Sequence, residues 1–140
     1  MHFQSKLPNV GTTIFTVMSA LAQEHQAINL AQGFPDFPSS ERLTDLVHQY
    51  MRNGYNQYAP MPGLPALRTR IAEKIALLYG TAVDPGTEIT ITAGATQALF
   101  TAIGAFISPG DEVILLEPAY DSYRPSVEVF GGKAVVYELS

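Results

Sequence analysis

Ile89-Thr90-Ile91-Thr92-Ala93-Gly94-Ala95-Thr96-Gln97-Ala98-Leu99-Phe100 is the stretch on which the reading of the fold turns. A short run of β-branched residues reads as a strand. It meets a glycine, and a small residue and a threonine then open a helix. The first backbone N–H groups of a helix have no acceptor within the helix, and together with a neighbouring hydroxyl they converge on an anion such as phosphate. The same residues also make an ordinary helix start capped by a small residue or threonine. The surrounding sequence has to decide between ligand and cap.

Downstream, β-branched runs alternate with helical patterns. Ile89 to Thr92, a helix from about Ala95 to Ile107, the turn Ser108-Pro109-Gly110-Asp111 and a strand from Glu112 to Glu117 predict a β-α-β unit with a right-handed crossover. A helix near Ser122 to Phe130, ended by Gly131-Gly132, leads to a strand from Lys133 to Leu139. This is the opening of an α/β sheet. Ligands of such sheets sit outside the carboxyl ends of the strands. Gly94-Ala95-Thr96 and Glu117-Pro118-Ala119-Tyr120 lie at two such ends, so a phosphate and an aromatic ring can face one cavity, with Tyr120 stacked on a flat heterocycle. The plainer reading is that Tyr120 and Tyr123 cover the sheet edge.

Upstream the pattern is helical and loop-rich. Ile14, Val17, Met18 and Leu21 recur at helical spacing towards His25, and Ile28-Asn29-Leu30 reads as extended. The two prolines of Gly33-Phe34-Pro35-Asp36-Phe37-Pro38 forbid a regular element there. Leu43, Leu46, Val47, Tyr50 and Met51 mark a second helix, with Ser39 or Ser40 as N-cap and Gly54 as the stop. After a loop from Asn53 to Gly63, Pro65 starts a third helix marked by Leu67, Ile71, Ile75 and Leu78 and closed by Gly80.

The chain has 140 residues, 46% of them hydrophobic, which predicts one globular domain with an ordinary core. A net charge of -5 with only 8 Lys plus Arg gives no footprint for nucleic acid or an anionic membrane. The absence of cysteine removes disulfides, thiolate metal sites and cysteine nucleophiles. His2, His25 and His48 are scattered, so no metal site is expected. With no apolar run at the start and none near the roughly 20 residues that cross a bilayer, the expected compartment is the cytoplasm.

Four separate segments, in order, resemble the class I pyridoxal-phosphate aminotransferases. They are Gly33-Phe34-Pro35-Asp36-Phe37, Asn56-Gln57-Tyr58-Ala59-Pro60, Thr92-Ala93-Gly94-Ala95-Thr96-Gln97-Ala98-Leu99, and Gly110-Asp111-Glu112-Val113 with Glu117-Pro118-Ala119-Tyr120-Asp121-Ser122-Tyr123. The resemblance is to the methionine and kynurenine aminotransferase branch and runs from about Ser5 to Ser140. It implies the α/β fold of the N-terminal part of a pyridoxal-phosphate transferase. Residues 1–83 would form an arm, helices and substrate and dimer loops, and residues 84–140 the start of the cofactor-binding large domain.

The resemblance also implies roles. Gly94, Ala95 and Thr96 would form the cup for the phosphate of pyridoxal 5'-phosphate, and Tyr120 would stack on its pyridine ring where relatives carry Phe or Trp. Tyr58 would reach the cofactor phosphate of a neighbouring subunit, which implies a homodimer with shared sites. Gly33 would offer its backbone to the substrate carboxylate. Phe15 would line the side-chain pocket, although a place in the helix core suits it nearly as well. Phe15, Phe34 and Tyr58 together favour a large, uncharged amino donor of the methionine, aromatic, glutamine or kynurenine class, with a 2-oxo acid as acceptor and C–S β-elimination as a side activity.

One departure is consequential. The family needs a Schiff-base lysine in a Ser-x-x-Lys context, and this chain offers only Lys6, Lys74 and Lys133, none in that context. It therefore carries no catalytic residue of the reaction itself. The expectation is the N-terminal portion of a longer aminotransferase, with its strand neighbours and remaining site residues beyond Ser140; the alternative is a catalytically silent fragment or interaction module. A dinucleotide oxidoreductase would require G-x-G-x-x-G, and Gly94-Ala95-Thr96-Gln97-Ala98-Leu99 lacks the second and third glycines. A serine hydrolase would require a nucleophile elbow that is absent. No basic helix-turn-helix precedes the aminotransferase-like segment, which argues against a fused regulator.

Overall fold

The structure is a computed structural model in which residues 4–33 and 35–139 are described. The elements, in order, are α1 (Ile14–Glu24), α2 (Glu41–Arg52), α3 (Pro65–Tyr79), α4 (Ala95–Phe106), β1 (Glu112–Glu117), α5 (Tyr123–Val129) and β2 (Lys133–Glu138). They divide into two compact units. One comprises Met1–Gly33 with Ala93–Ser140, the other Phe34–Thr92.

In the first unit, β1 and β2 pair in parallel, with Glu112 opposite Lys133 and Glu117 opposite Glu138. Parallel neighbours need a crossover, and α5 supplies it. Val127 of α5 is fully buried and Leu115 of β1 is buried, and these two are the buried hydrophobic residues among those described. Close approach at the end of α5 depends on Gly132, where a Cβ would stand 2.7 Å from Ile107 Cγ2 and 2.9 Å from Val127 Cγ1. The rings of Phe100 and Phe130 join α4 to the end of α5 at a centroid distance of 4.9 Å. Thr13 caps α1, its hydroxyl accepting the Thr16 N–H at 3.3 Å.

The second unit holds α2 and α3. Ser40 is the N-cap of α2, and beyond the helix end Gly54 takes φ +86°. The Asn56 amide donates to the Met51 carbonyl at 2.8 Å, satisfying one of the carbonyls that a helix end leaves open. Pro65 occupies the first turn of α3 and Gly80 closes it at φ +66°, as their chemistry requires. The Arg68 side chain, 9% exposed, donates from Nη1 to the carbonyls of Pro85 at 2.7 Å and Gly86 at 3.2 Å.

One expectation is corrected. Ile89 to Thr92 forms no strand, so of the β-α-β unit expected across residues 89–117 only α4 and β1 form, while the next one, β1-α5-β2, forms as read. A β-branched run becomes a strand only against a partner ladder, and here the Ile91 N–H donates instead to the Pro62 carbonyl at 3.0 Å. The stripe of α2 sits where its periodicity puts it, yet Leu43, Leu46, Val47, Tyr50 and Met51 remain 39–59% exposed. Periodicity fixes which residues share a face; burial needs something to cover it.

Candidate active site

The loop into α4 is built by Gly94, whose φ of +87° with ψ of 168° is a conformation open almost only to glycine. A Cβ there would meet nothing within 4 Å, so the demand comes from the backbone rather than from crowding. Gln97, three residues after the cap, reaches back and accepts the Ala93 N–H at 2.5 Å. This resembles a capping box and fixes the approach to the helix. The first turn contains Ala95 and Thr96 and carries no acidic residue, so no fixed negative charge competes with an anion at the positive end of the helix dipole.

A second feature of the same unit is a groove of about 360 Å³ lined by Phe15, Ala31, Gln32, Gly33 and Tyr120. Phe15 comes from α1 and Tyr120 from the loop after β1, and their ring centroids lie 6.2 Å apart at 34°. Tyr120 also meets Tyr123 edge-on at 6.0 Å, and half of its surface remains exposed. Gly33 has an ordinary φ, and a Cβ on it would meet nothing within 4 Å. Neither strain nor packing demands glycine there; what it provides is unobstructed access to its own backbone.

The turn that presents Tyr120 is closed by an ion pair, Arg124 Nη2 to Glu117 Oε1 at 2.9 Å. Both partners border a neighbouring hollow of about 450 Å³ that shares Tyr120 with the groove. The lysines lie apart from any such setting. Lys133 is bound to Glu112 at 2.7 Å with 70% of its side chain exposed, and that bond raises its pKa and lowers that of Glu112. Lys6 and Lys74 are exposed. Among the described residues no cluster of His, Cys, Asp or Glu could hold a metal, and no helix is long and apolar enough to cross a membrane.

Of the residues singled out in the sequence, Phe15, Gly33 and Tyr120 are brought to one groove. Gly94, Ala95 and Thr96 stand at the start of α4 within the same unit. Tyr58 belongs to the other unit and is fully exposed. Phe34 lies outside the described residues. Sequence reasoning passed over Gln97 and Gln32. Gln97 was findable as a glutamine three residues past the helix cap, whereas nothing local marks Gln32.

The profile of the family described as aminotransferase class I and II matches residues 25–140. This chain belongs to that family. Enzymes of this family depend on pyridoxal phosphate, and the chain is 57% identical over 129 residues to the methionine aminotransferase of Escherichia coli strain K12. That match takes in 92% of the chain and 33% of the relative. Human kynurenine–oxoglutarate transaminase 1 is 38% identical over 121 residues, 85% of the chain and 29% of the relative. The crystal structure of an Escherichia coli methionine aminotransferase superposes with a TM-score of 0.95 at 53% identity, covering 100% of this chain and 37% of that one. The N-succinyldiaminopimelate aminotransferase from Mycobacterium tuberculosis gives 0.91 at 40% identity, covering 99% and 36%. The fold is therefore the α/β fold of the N-terminal part of this aminotransferase family, and the chain spans about a third of the length of the relatives it matches.

Proposed function

We propose that this chain is the N-terminal part of a pyridoxal-phosphate aminotransferase that moves an amino group from a large, uncharged L-amino acid to a 2-oxo acid. Methionine, aromatic amino acids, glutamine and kynurenine are the donor class. The observation that carries the reading is the groove: Phe15, Gly33 and Tyr120, distant in sequence, line one hollow.

The residues present suit the cofactor's chemistry. A dianionic phosphate is favoured at a helix start without acidic residues, where the backbone of Gly94 and Ala95 and the hydroxyl of Thr96 would hold it. A flat heterocycle suits a half-exposed tyrosine ring such as Tyr120. The bound cofactor supplies the electron sink that lets the substrate α proton leave. The chain's own residues bind and orient: Gly33 offers its backbone to the substrate carboxylate, and Phe15 and Phe34 with Tyr58 favour a large, uncharged side chain.

Tyr58 donates to the cofactor phosphate of a second subunit, making the protein a homodimer with shared sites. Its complete exposure, 101% of the reference area, supports a partner from outside this chain. In this reading residues 1–83 form the arm, helices and loops, residues 84–140 open the large domain, and the enzyme is cytoplasmic. Further polypeptide covers the exposed apolar faces and provides the cofactor-bearing lysine.

The test is to load the full-length protein with pyridoxal phosphate, fix it with borohydride and map the labelled peptide. The label is expected on a lysine other than Lys6, Lys74 and Lys133. Stoichiometric labelling of any of those three, or no retention of cofactor, overturns the proposal.

A further inference from the structure

Asn29 uses both ends of its side-chain amide. Its Nδ2 donates to Ser19 Oγ at 3.1 Å, and its Oδ1 accepts the Ala31 N–H at 3.0 Å. Ser19 lies on α1 four residues after Phe15, so the two share a helix face. Ala31 begins the run Ala31-Gln32-Gly33 that lines the groove together with Phe15 and Tyr120. One amide thus ties the helix carrying Phe15 to the backbone carrying Gly33. Asn29 and Ser19 are both half-buried, so water competes with this link less than at a fully exposed site.

We infer that Asn29 is a positioning residue that sets the width of the groove between Phe15 and Gly33 and so selects amino donors by side-chain size. The inference deepens the proposed function and rests on the groove being the donor site. A long donor side chain needs Phe15 held at a fixed distance from the loop; a short one does not reach it. Loss of the brace therefore acts on the KM of long donors and leaves proton transfer alone. The geometry also ranks the substitutions. Aspartate at 29 still accepts the Ala31 N–H and can take the Ser19 hydroxyl as donor. Alanine does neither.

The experiment uses the full-length holoenzyme with L-methionine and the shorter L-2-aminobutyrate as donors. Asn29→Ala is expected to raise the KM for methionine about fivefold to tenfold, the span of one lost hydrogen bond. The KM for aminobutyrate should stay within about twofold, again on the scale below one hydrogen bond. The kcat and the cofactor Kd, followed by absorbance titration, should hold. Ser19→Ala should act in the same direction, the double variant should add little to Asn29→Ala, and Asn29→Asp should restore the wild-type KM.

A KM rise equal for both donors, a parallel fall in kcat and cofactor binding, or additive effects at 19 and 29 would overturn the inference. If Asn29→Ala does not fold, Ser19→Ala decides by the same donor comparison. Failure of the proposed function looks different: the wild-type protein then neither binds the cofactor nor turns over either donor, and the selection role falls with it.

Discussion

The guanidinium of Arg68 is seated on the backbone of Pro85, with Nη1 2.7 Å from the carbonyl oxygen and a second bond to Gly86 at 3.2 Å. A charged group 9% exposed is spanning α3 and the turn that follows it, while its Nε has no protein partner. The link holds the turn over residues 84–88, where the Asp84 carboxylate also accepts the Gly86 N–H and the Thr87 hydroxyl, each at 2.8 Å.

Arg68→Ala removes the donor of two carbonyl oxygens, on the half-buried Pro85 and the exposed Gly86. With it goes the net worth of hydrogen bonds to a charged group, about 1.5–3 kcal/mol at most where water does not replace them. A fall in the denaturation midpoint of the full-length protein is expected, with Arg68→Lys recovering part of it. Unchanged midpoints for both variants would mean that the turn is held without the guanidinium.

Asp84 should titrate below the ordinary aspartate value of about 3.9. The Gly86 N–H lowers its pKa most and the Thr87 hydroxyl next, both favouring the ionised carboxylate. Because the folded pKa is depressed, the stabilisation is complete above the unfolded value and fades as pH falls through the folded one. An NMR titration following the Gly86 amide should give a midpoint under 3.9, the usual value. A midpoint at or above that value would remove the two bonds from solution behaviour.

Gly104→Ala tests the seam between α4 and the end of α5. A Cβ at 104 would stand 2.5 Å from Phe130 Cζ and 2.9 Å from Cε1. Alanine gains about 1 kcal/mol in helix propensity, but overpacking costs about 1–3 kcal/mol. The net expectation is a lower melting temperature, part of which Phe130→Leu should restore in the double variant. A higher melting temperature for Gly104→Ala alone would show that the ring yields freely.

Tyr58→Phe removes the phenol proposed to donate to a phosphate across the subunit boundary. A charge-assisted bond is worth about 1.5–3 kcal/mol, so cofactor Kd in the full-length protein should rise by about tenfold or more. Equilibrium dialysis reads this directly. A Kd equal to wild type would take Tyr58 out of the phosphate site.

Most local features were legible because local chemistry causes them. Pro65 and Gly80 bracket α3 since proline lacks the N–H that a first turn leaves unpaired and glycine takes a left-handed φ without strain. Glu112–Glu117 and Lys133–Glu138 are strands as read, for each has the other as partner. The run Ile89-Thr90-Ile91-Thr92 has the same β-branched character and forms none, because strand state depends on a ladder and the Ile91 N–H goes to Pro62.

The amino-acid order alone determined the helix starts and stops, the glycine-led entry to α4 and, through four motifs in register, the family. Only the tertiary structure decided that Phe15, Gly33 and Tyr120 meet at one groove, that Asn29 bridges α1 to its wall, and that the apolar stripe of α2 stays uncovered. Capping and turn preferences act over a few residues and are written in the local sequence. Contacts between residues 15 and 120 depend on the path of everything between them, and no local pattern encodes that path.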